Sequence, residues 1–345
     1  MAKNILIIRR DNIGDLVCTT PLISNLRKAF SDANIDVLVN SYNAPVVEHN
    51  PDINTVYIYK KAKHRGQGES IFKVYFERAK TYLEMRRKGI DIVILAGGSE
   101  NKRSLKVAKI VGAKQIIGYA SPDSDTYSEI SSPLDIHETK GLHEVELTNR
   151  LSATLGVTYE PPACTLVPSK EQLHNVNRFL QQHHINDQVQ PIGIHISARK
   201  PSNRWTEENY VELIHRIWDT YRQPILLFWS PGSKDNALHP GDDELAEAIL
   251  KQCSNTQLLP FPTQNLEQLI AGVSICKPFI CSDGGAMHIA AATGCPILCF
   301  FGDSDAARWY PWGTHSKLIQ KKSLSVADIS INTAYSELQA LMSEL

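Results

Sequence analysis

The chain has no apolar run of the roughly 18 residues that a helical membrane crossing needs. Its opening Met-Ala-Lys-Asn leads straight into a strand-length apolar segment, without the longer apolar region and small-residue cleavage site of a signal peptide. Cytoplasmic residence is therefore expected. Cysteine gives no framework: Cys18, Cys164, Cys253, Cys276, Cys281, Cys295 and Cys299 are odd in number and form no Cys-x-x-Cys pair. That argues against a disulfide scaffold or a zinc site and for buried, reduced thiols. The 12 histidines show no ligand spacing, and His183-His184 adjoin in polar helical sequence. Repeats and low-complexity tracts are missing, and with 42% hydrophobic residues disorder is not expected. No Gly-x-Gly-x-x-Gly occurs, so a dinucleotide-binding enzyme has little support. Asp123-Ser-Asp125 and Asp303-Ser-Asp305 are read as helix caps rather than metal ligands, and no obligatory metal is expected.

What is present is an alternation of strand-like and helix-like runs over 345 residues, a length that fits two domains. Strands are expected at Ile5–Arg9, Ile35–Val39, Thr55–Tyr59, Ile90–Leu95 and Gln115–Gly118, with helices near Pro21–Phe30, Ile71–Lys88 and Lys102–Val111. Tyr119–Lys140, rich in Ser, Pro and Asp, reads as a long loop. The prolines of Tyr159-Glu-Pro-Pro-Ala-Cys-Thr-Leu-Val-Pro168 suggest a linker. The alternation then resumes, with strands at Pro191–Ile196, Pro224–Phe228, Phe279–Cys281 and Ile297–Phe301. The pattern implies two similar α/β domains, residues 1–160 and 161–332, with parallel sheets facing across a ligand-binding cleft. Net charge is -1, yet residues 1–120 hold 20 of the 36 basic residues and only 11 of the 37 acidic ones. The front half is therefore suited to an anionic partner, such as a phosphorylated substrate or a lipid surface. A nucleic acid is not expected, because the basic stretch has no binding module and few interleaved aromatics.

In open parallel sheets, chemistry gathers at the carboxyl ends of strands. Three segments meet that condition. Arg9-Arg-Asp-Asn-Ile-Gly-Asp15 ends the first strand; Gly14 is read as permitting a tight turn, and Arg10, Asn12 and Gly14 as facing an acceptor. Asp15 fits a first-turn helix residue, worth about 1 kcal/mol, and equally a general base. Ser197-Ala-Arg-Lys-Pro-Ser-Asn-Arg204 offers Ser197, Arg199, Lys200 and Arg204 to a diphosphate, the plainer alternative being a solvated basic loop. Asp283-Gly284-Gly285 opens a helix whose first N–H groups suit an anion, with His288 close by; a simple strand–turn–helix connection explains the same residues.

Taken together and in order, these stretches resemble glycosyltransferase family nine, the lipopolysaccharide heptosyltransferases. Ile5–Pro21, with its Ile-Gly-Asp and Thr-x-Pro, is similar to that family's N-terminal motif. Ser282–Ala292 with Phe301–Gly313 is similar to its second motif, and Trp205 with the preceding basic loop to a third. The resemblance implies a GT-B fold of two Rossmann-like α/β/α domains, with a C-terminal helix, 333–345, packing back on the first domain. It implies an inverting transferase that moves a heptose or related sugar from an ADP-sugar, ADP-heptose being typical, to a lipopolysaccharide-core or similar hydroxyl. Asp15 would be the base, and Asp283, Gly284, Gly285 and His288 would hold the donor. The acceptor would be a phosphorylated, lipid-linked saccharide at the inner face of a bacterial inner membrane, with peripheral contact to its anionic surface. Two positions depart from the family: Gly284 stands where Thr or Ser is usual, and Asn203 where Lys is frequent. The competing reading is a nucleotide-sugar binding or epimerase-like protein of the same two-domain fold that transfers nothing.

Overall fold

The computed structural model describes residues 3–59, 70–186, 188–235 and 241–345. The basic cluster Lys60–Arg65 lies outside them. The chain divides into two units, Met1–Leu166 and Val167–Leu345. The first holds β1 (Asn4–Ile8), β2 (Asn34–Asn40), β3 (Thr55–Tyr59), β4 (Ile92–Leu95), β5 (Gln115–Ala120) and β6 (Ser132–Asp135), ordered β3-β2-β1-β4-β5-β6. The second holds β7 (Ile192–His195), β8 (Ile225–Trp229), β9 (Leu258–Pro262), β10 (Phe279–Ser282), β11 (Ile297–Phe301) and β12 (Ser316–Gln320), ordered β12-β11-β10-β7-β8-β9. Every strand pairing in both sheets is parallel. Inner strands such as Ile225-Leu-Leu-Phe-Trp229 and Ile297-Leu-Cys-Phe-Phe301 are buried throughout, because a parallel sheet is covered on both faces.

The two sheets share one doubly wound topology. In each, the first strand of the unit lies beside the fourth, and the winding reverses there. The loops leaving β1 and β4, and those leaving β7 and β10, therefore part in opposite directions and leave room for a ligand.

The structure adds three strands that the sequence reading left out, β6, β9 and β12, and all are sheet edges. Tyr119–Lys140 is accordingly not one long loop: it carries the end of β5, the helix Asp125–Glu129 and β6. Edge strands are short and need pair on one side only, so they tolerate proline, and Pro133 disguises β6 as Pro260 and Pro262 disguise β9. The unit boundary also falls later than 160. Asn25 Nδ2 donates to the carbonyls of Tyr159 and Glu160 at 3.2 and 3.1 Å, and Thr165 N–H to Thr20 Oγ1 at 3.0 Å. The proline-rich stretch is thus tied to the first unit's helix Thr20–Ala29.

The C-terminal helix is Ile331–Ser343. The resemblance implied a helix returning to the first unit. Its buried face, Ala334, Leu338 and Leu341, belongs to the second unit's core with Trp205, Ile214 and Ile217. All five tryptophans lie in the second unit, so their fluorescence reports on that unit alone. Leu338→Ala is expected to lower the stability read by tryptophan fluorescence in urea by about 2–5 kcal/mol. An unchanged midpoint would show that the helix contributes nothing to this core.

Candidate active site

In the first unit the polypeptide leaves β1 into a charge cluster built around Arg9, whose side chain is only 3% exposed. Its guanidinium donates to Asp15 Oδ1 at 2.6 Å, to Glu144 Oε1 at 2.7 Å and to the Ala96 carbonyl, while its Nε lies 3.4 Å from Asp11 Oδ2. Burial works against the charge, but Asp15, Glu144 and Asp11 outweigh it, and the guanidinium is held protonated even more firmly than usual. Gly97, just after β4, makes room: a Cβ there would lie 3.0 Å from Arg9 Nη1.

Asp15 is the third residue of the helix Ile13–Val17, and its Oδ2 accepts the Asn12 N–H at 3.1 Å. Both carboxylate oxygens are thus oriented, and the side chain remains 18% exposed. The loop before it is strapped down by Asn40 Nδ2, which donates to the carbonyls of Arg10 and Asp11 at 3.0 Å each. Arg10 reaches Ser104 Oγ at 3.3 Å and lies 4.7 Å over the Tyr59 ring. Asn12 is exposed. Gly14 is not a turn residue: it is buried inside the helix and accepts from Cys18 N–H at 2.9 Å.

Arg9 and Glu144 were not among the residues expected to matter. Arg9 carried a signal, a charge directly after an apolar strand. Glu144 carried none, since it meets Arg9 across 135 positions of sequence.

In the second unit Asn203 is the centre. It is buried, its Nδ2 donates to the Asp283 carbonyl at 3.0 Å, and its Oδ1 accepts the Gly302 N–H at 3.0 Å. One amide thereby joins the loops leaving β7, β10 and β11. A Cβ on Gly302 would come within 2.4 Å of Asn203 Oδ1 and of the Ser202 carbonyl, so this close approach requires glycine. Asn203 fills a structural position where a lysine would bring charge.

The basic loop divides its tasks. Lys200 pairs with Asp303 at 3.0 Å and reaches Ser304 Oγ at 3.1 Å, while Arg204 pairs with buried Asp242 at 2.9 Å. Ser197 Oγ accepts the Ser230 N–H at 2.8 Å. Arg199 alone of the three cations is exposed with no carboxylate partner among the described residues.

Gly284 is the N-cap of the helix Gly285–Ala292 and supplies no capping side chain. Its backbone is extended, and a Cβ would meet nothing within 4 Å. The N–H groups of Gly285, Ala286 and Met287 precede the first bond of the helix, which His288 N–H makes to the Gly284 carbonyl at 3.4 Å. The His288 ring is buried, edge-on to Trp309 with centroids 5.9 Å apart. Asp283 is partly buried, and its N–H donates to the Phe300 carbonyl at 2.8 Å.

His195, at the end of β7, is a further titratable group at this switch point that the sequence reading passed over. Burial pulls its imidazole down to about 4, against the opposing pull of Asp242. No cluster of three metal-ligating side chains occurs among the described residues. Asp305 caps the helix Ala306–Trp309 through Ala307 N–H at 3.1 Å, and all seven cysteines are buried and free. Asp125 opens the helix Asp125–Glu129, whose N-cap is Ser124.

The profile described as glycosyltransferase family 9 (heptosyltransferase) matches residues 78–337. The chain is 24% identical over 309 residues to lipopolysaccharide heptosyltransferase 3 of Escherichia coli K12, covering 87% of this chain and 82% of that one. Among solved structures it resembles a glycosyl transferase family 9 protein from Veillonella parvula, with a TM-score of 0.84, 22% identity, and 99% and 98% of the two chains covered. It also resembles E. coli heptosyltransferase WaaC solved with ADP-2-deoxy-2-fluoro heptose, with a TM-score of 0.74, 17% identity and 99% of each chain covered.

Two outcomes follow from this chemistry. Arg9→Met strands two carboxylates and is expected to cost about 3–5 kcal/mol in urea unfolding followed by circular dichroism, partly recovered by adding Glu144→Gln. Wild-type stability in the single variant would mean the cluster is not structural. For His195 the folded value is depressed, so its stabilisation is complete above the unfolded value of 6.5 and is lost as pH falls toward about 4. The loss amounts to about 3 kcal/mol. His195→Gln should flatten that part of the pH profile of the fluorescence-detected transition; an unaltered slope would assign it to other groups.

Proposed function

The chain belongs to glycosyltransferase family 9, the heptosyltransferases, and from that membership we propose that it is an inverting enzyme using an ADP-sugar donor. The sugar is a heptose or a close relative, and the acceptor is a hydroxyl of a lipopolysaccharide core or similar phosphorylated, lipid-linked saccharide. The first unit takes the acceptor and the second the donor.

The observation that carries the reading is the setting of Asp15. Its carboxylate is fixed by Arg9 on one oxygen and by the Asn12 N–H on the other, yet keeps an accessible edge. A module that only binds nucleotide has no need of such a group, which favours transfer over the binding or epimerase-like alternative. In the reaction, the acceptor oxygen bonds to the anomeric carbon as Asp15 takes its proton. The bond from that carbon to the diphosphate breaks on the opposite side, and its electron pair leaves with ADP. The N–H groups of Gly285, Ala286 and Met287 and the Arg199 guanidinium stabilise the negative charge that grows on the diphosphate. The reading assigns this task to protein groups, without an obligatory metal. Where relatives use a hydroxyl, Gly284 leaves backbone alone to meet the phosphate.

A lipid-linked acceptor places the enzyme at the inner face of a bacterial inner membrane, in peripheral contact with it. No described helix is long and apolar enough to cross.

Asp15→Asn should lower transfer about 10²–10⁴-fold while calorimetry shows ADP affinity within about twofold of wild type, with ADP preferred to UDP and GDP. Full activity in the variant would remove the proposed base. Preference for UDP or GDP would instead reassign the donor.

A further inference from the structure

The helix Ile71–Lys88 in the first unit has two apolar stripes. Val74 and Met85 face inward and are buried. Phe72, Tyr75, Phe76 and Leu83 face outward and are 81%, 52%, 68% and 46% exposed. Their positions, spaced i, i+3, i+4 and i+11, fall on one side of a 3.6-residue helix. Four large apolar side chains open on one face of a helix form a contiguous patch of the kind that marks an interaction site. Beside the stripe runs a row of exposed cations, Lys73, Lys80 and Arg87, with no carboxylate partner among the described residues. Glu77 and Glu84 lie behind that row. Arg86, which falls within the span of the stripe at its C-terminal end, is drawn aside by donating to the Ile110 carbonyl at 2.9 Å. With Arg78 and Lys88 the helix holds six cations and two carboxylates.

We propose that this outward face docks on an anionic lipid bilayer, with Phe72, Tyr75, Phe76 and Leu83 entering the headgroup boundary and Lys73, Lys80 and Arg87 meeting lipid phosphates. An apolar stripe flanked by cations is the pattern of a helix lying in a membrane interface. Charge weighs against a second copy of the chain: an antiparallel twofold contact through this face would set the cationic row against its like. The face is coupled to the loop of Asp15. Arg78, on the same helix, lies 4.2 Å over the Tyr59 ring, which Arg10 also covers at 4.7 Å. Docking here therefore brings lipid close to the acceptor side of the active site. The inference deepens the proposed function and rests on that reading for the lipid-linked acceptor alone.

Flotation with phosphatidylcholine vesicles, with and without phosphatidylglycerol, tests it in the absence of donor and acceptor. Wild type should float with the anionic vesicles and be released by salt. Each inserted ring is worth about a factor of ten or more, so Phe72→Ser with Phe76→Ser should abolish flotation. Lys73→Gln, Lys80→Gln and Arg87→Gln together should remove the dependence on phosphatidylglycerol. These exposed substitutions should leave thermal unfolding unchanged, and transfer to a detergent-solubilised acceptor should stay at the wild-type rate. The proposal is overturned if wild type does not float, or if the serine variant floats as well as wild type. It is equally overturned if sedimentation shows a dimer that the serine variant dissolves, or if that variant loses transfer to the solubilised acceptor. Asp15→Asn should float normally, so a failure of docking and a failure of the transferase reading are separable.

Discussion

The first unit is organised around one buried guanidinium. Arg9 ties the loop after β1, the end of β4 and the helix that begins at Glu144 into one arrangement, and each contact is a charge-assisted or carbonyl hydrogen bond in a dry setting. Such a group is stable only while its partners remain, because an unpaired charge at this depth is costly. The orientation of Asp15 is therefore inherited from the fold of the whole unit. Gly97 and the Asn40 strap serve the same end, one by leaving space for the guanidinium and the other by fixing the backbone from which Asp15 projects.

The second unit solves a similar problem without net charge. Three loops at the carboxyl ends of β7, β10 and β11 are joined by the Asn203 amide. Its donor and acceptor are both satisfied, so burial carries little penalty. The cations of the neighbouring loop are then free to differentiate: Lys200 and Arg204 hold loops together through Asp303 and Asp242, while Arg199 stays open to solvent. A chain with lysine at 203 would have to secure these loops otherwise, which gives the departure from the family pattern a structural meaning.

The sequence was most legible where the physics is local. Inner strands such as β1 and β11 are apolar runs because both faces are covered, and Ile71–Lys88 and Lys102–Val111 are bounded by the structure where the pattern placed them. Asp15 and Gly284 could be read because each sits in a contiguous strand–turn–helix segment. Glu144 could not, nor the partners of Asn203, since those contacts join residues 80 to 135 positions apart. Gly14 was misread for a subtler reason. A glycine after a polar stretch has the composition of a turn, but the Asn12–Asp15 bond had already begun the helix. The edge strands β6 and β9 were hidden by their prolines.

Those prolines bear on how the molecule behaves among its own copies. Just after β9, Thr263 N–H donates toward β8, to the Trp229 carbonyl at 3.1 Å. Because N–H directions alternate along a strand, the N atoms of residues 260 and 262 point to the open side. Both are proline, so that side presents no donor at either position. A neighbouring chain seeking to extend the sheet would find acceptors at both positions without the reciprocal N–H groups that a ladder requires. The second unit's β9 edge thus keeps one outward N–H, at Leu258, where a ladder would use three, and its composition itself discourages strand addition and fibrous self-association.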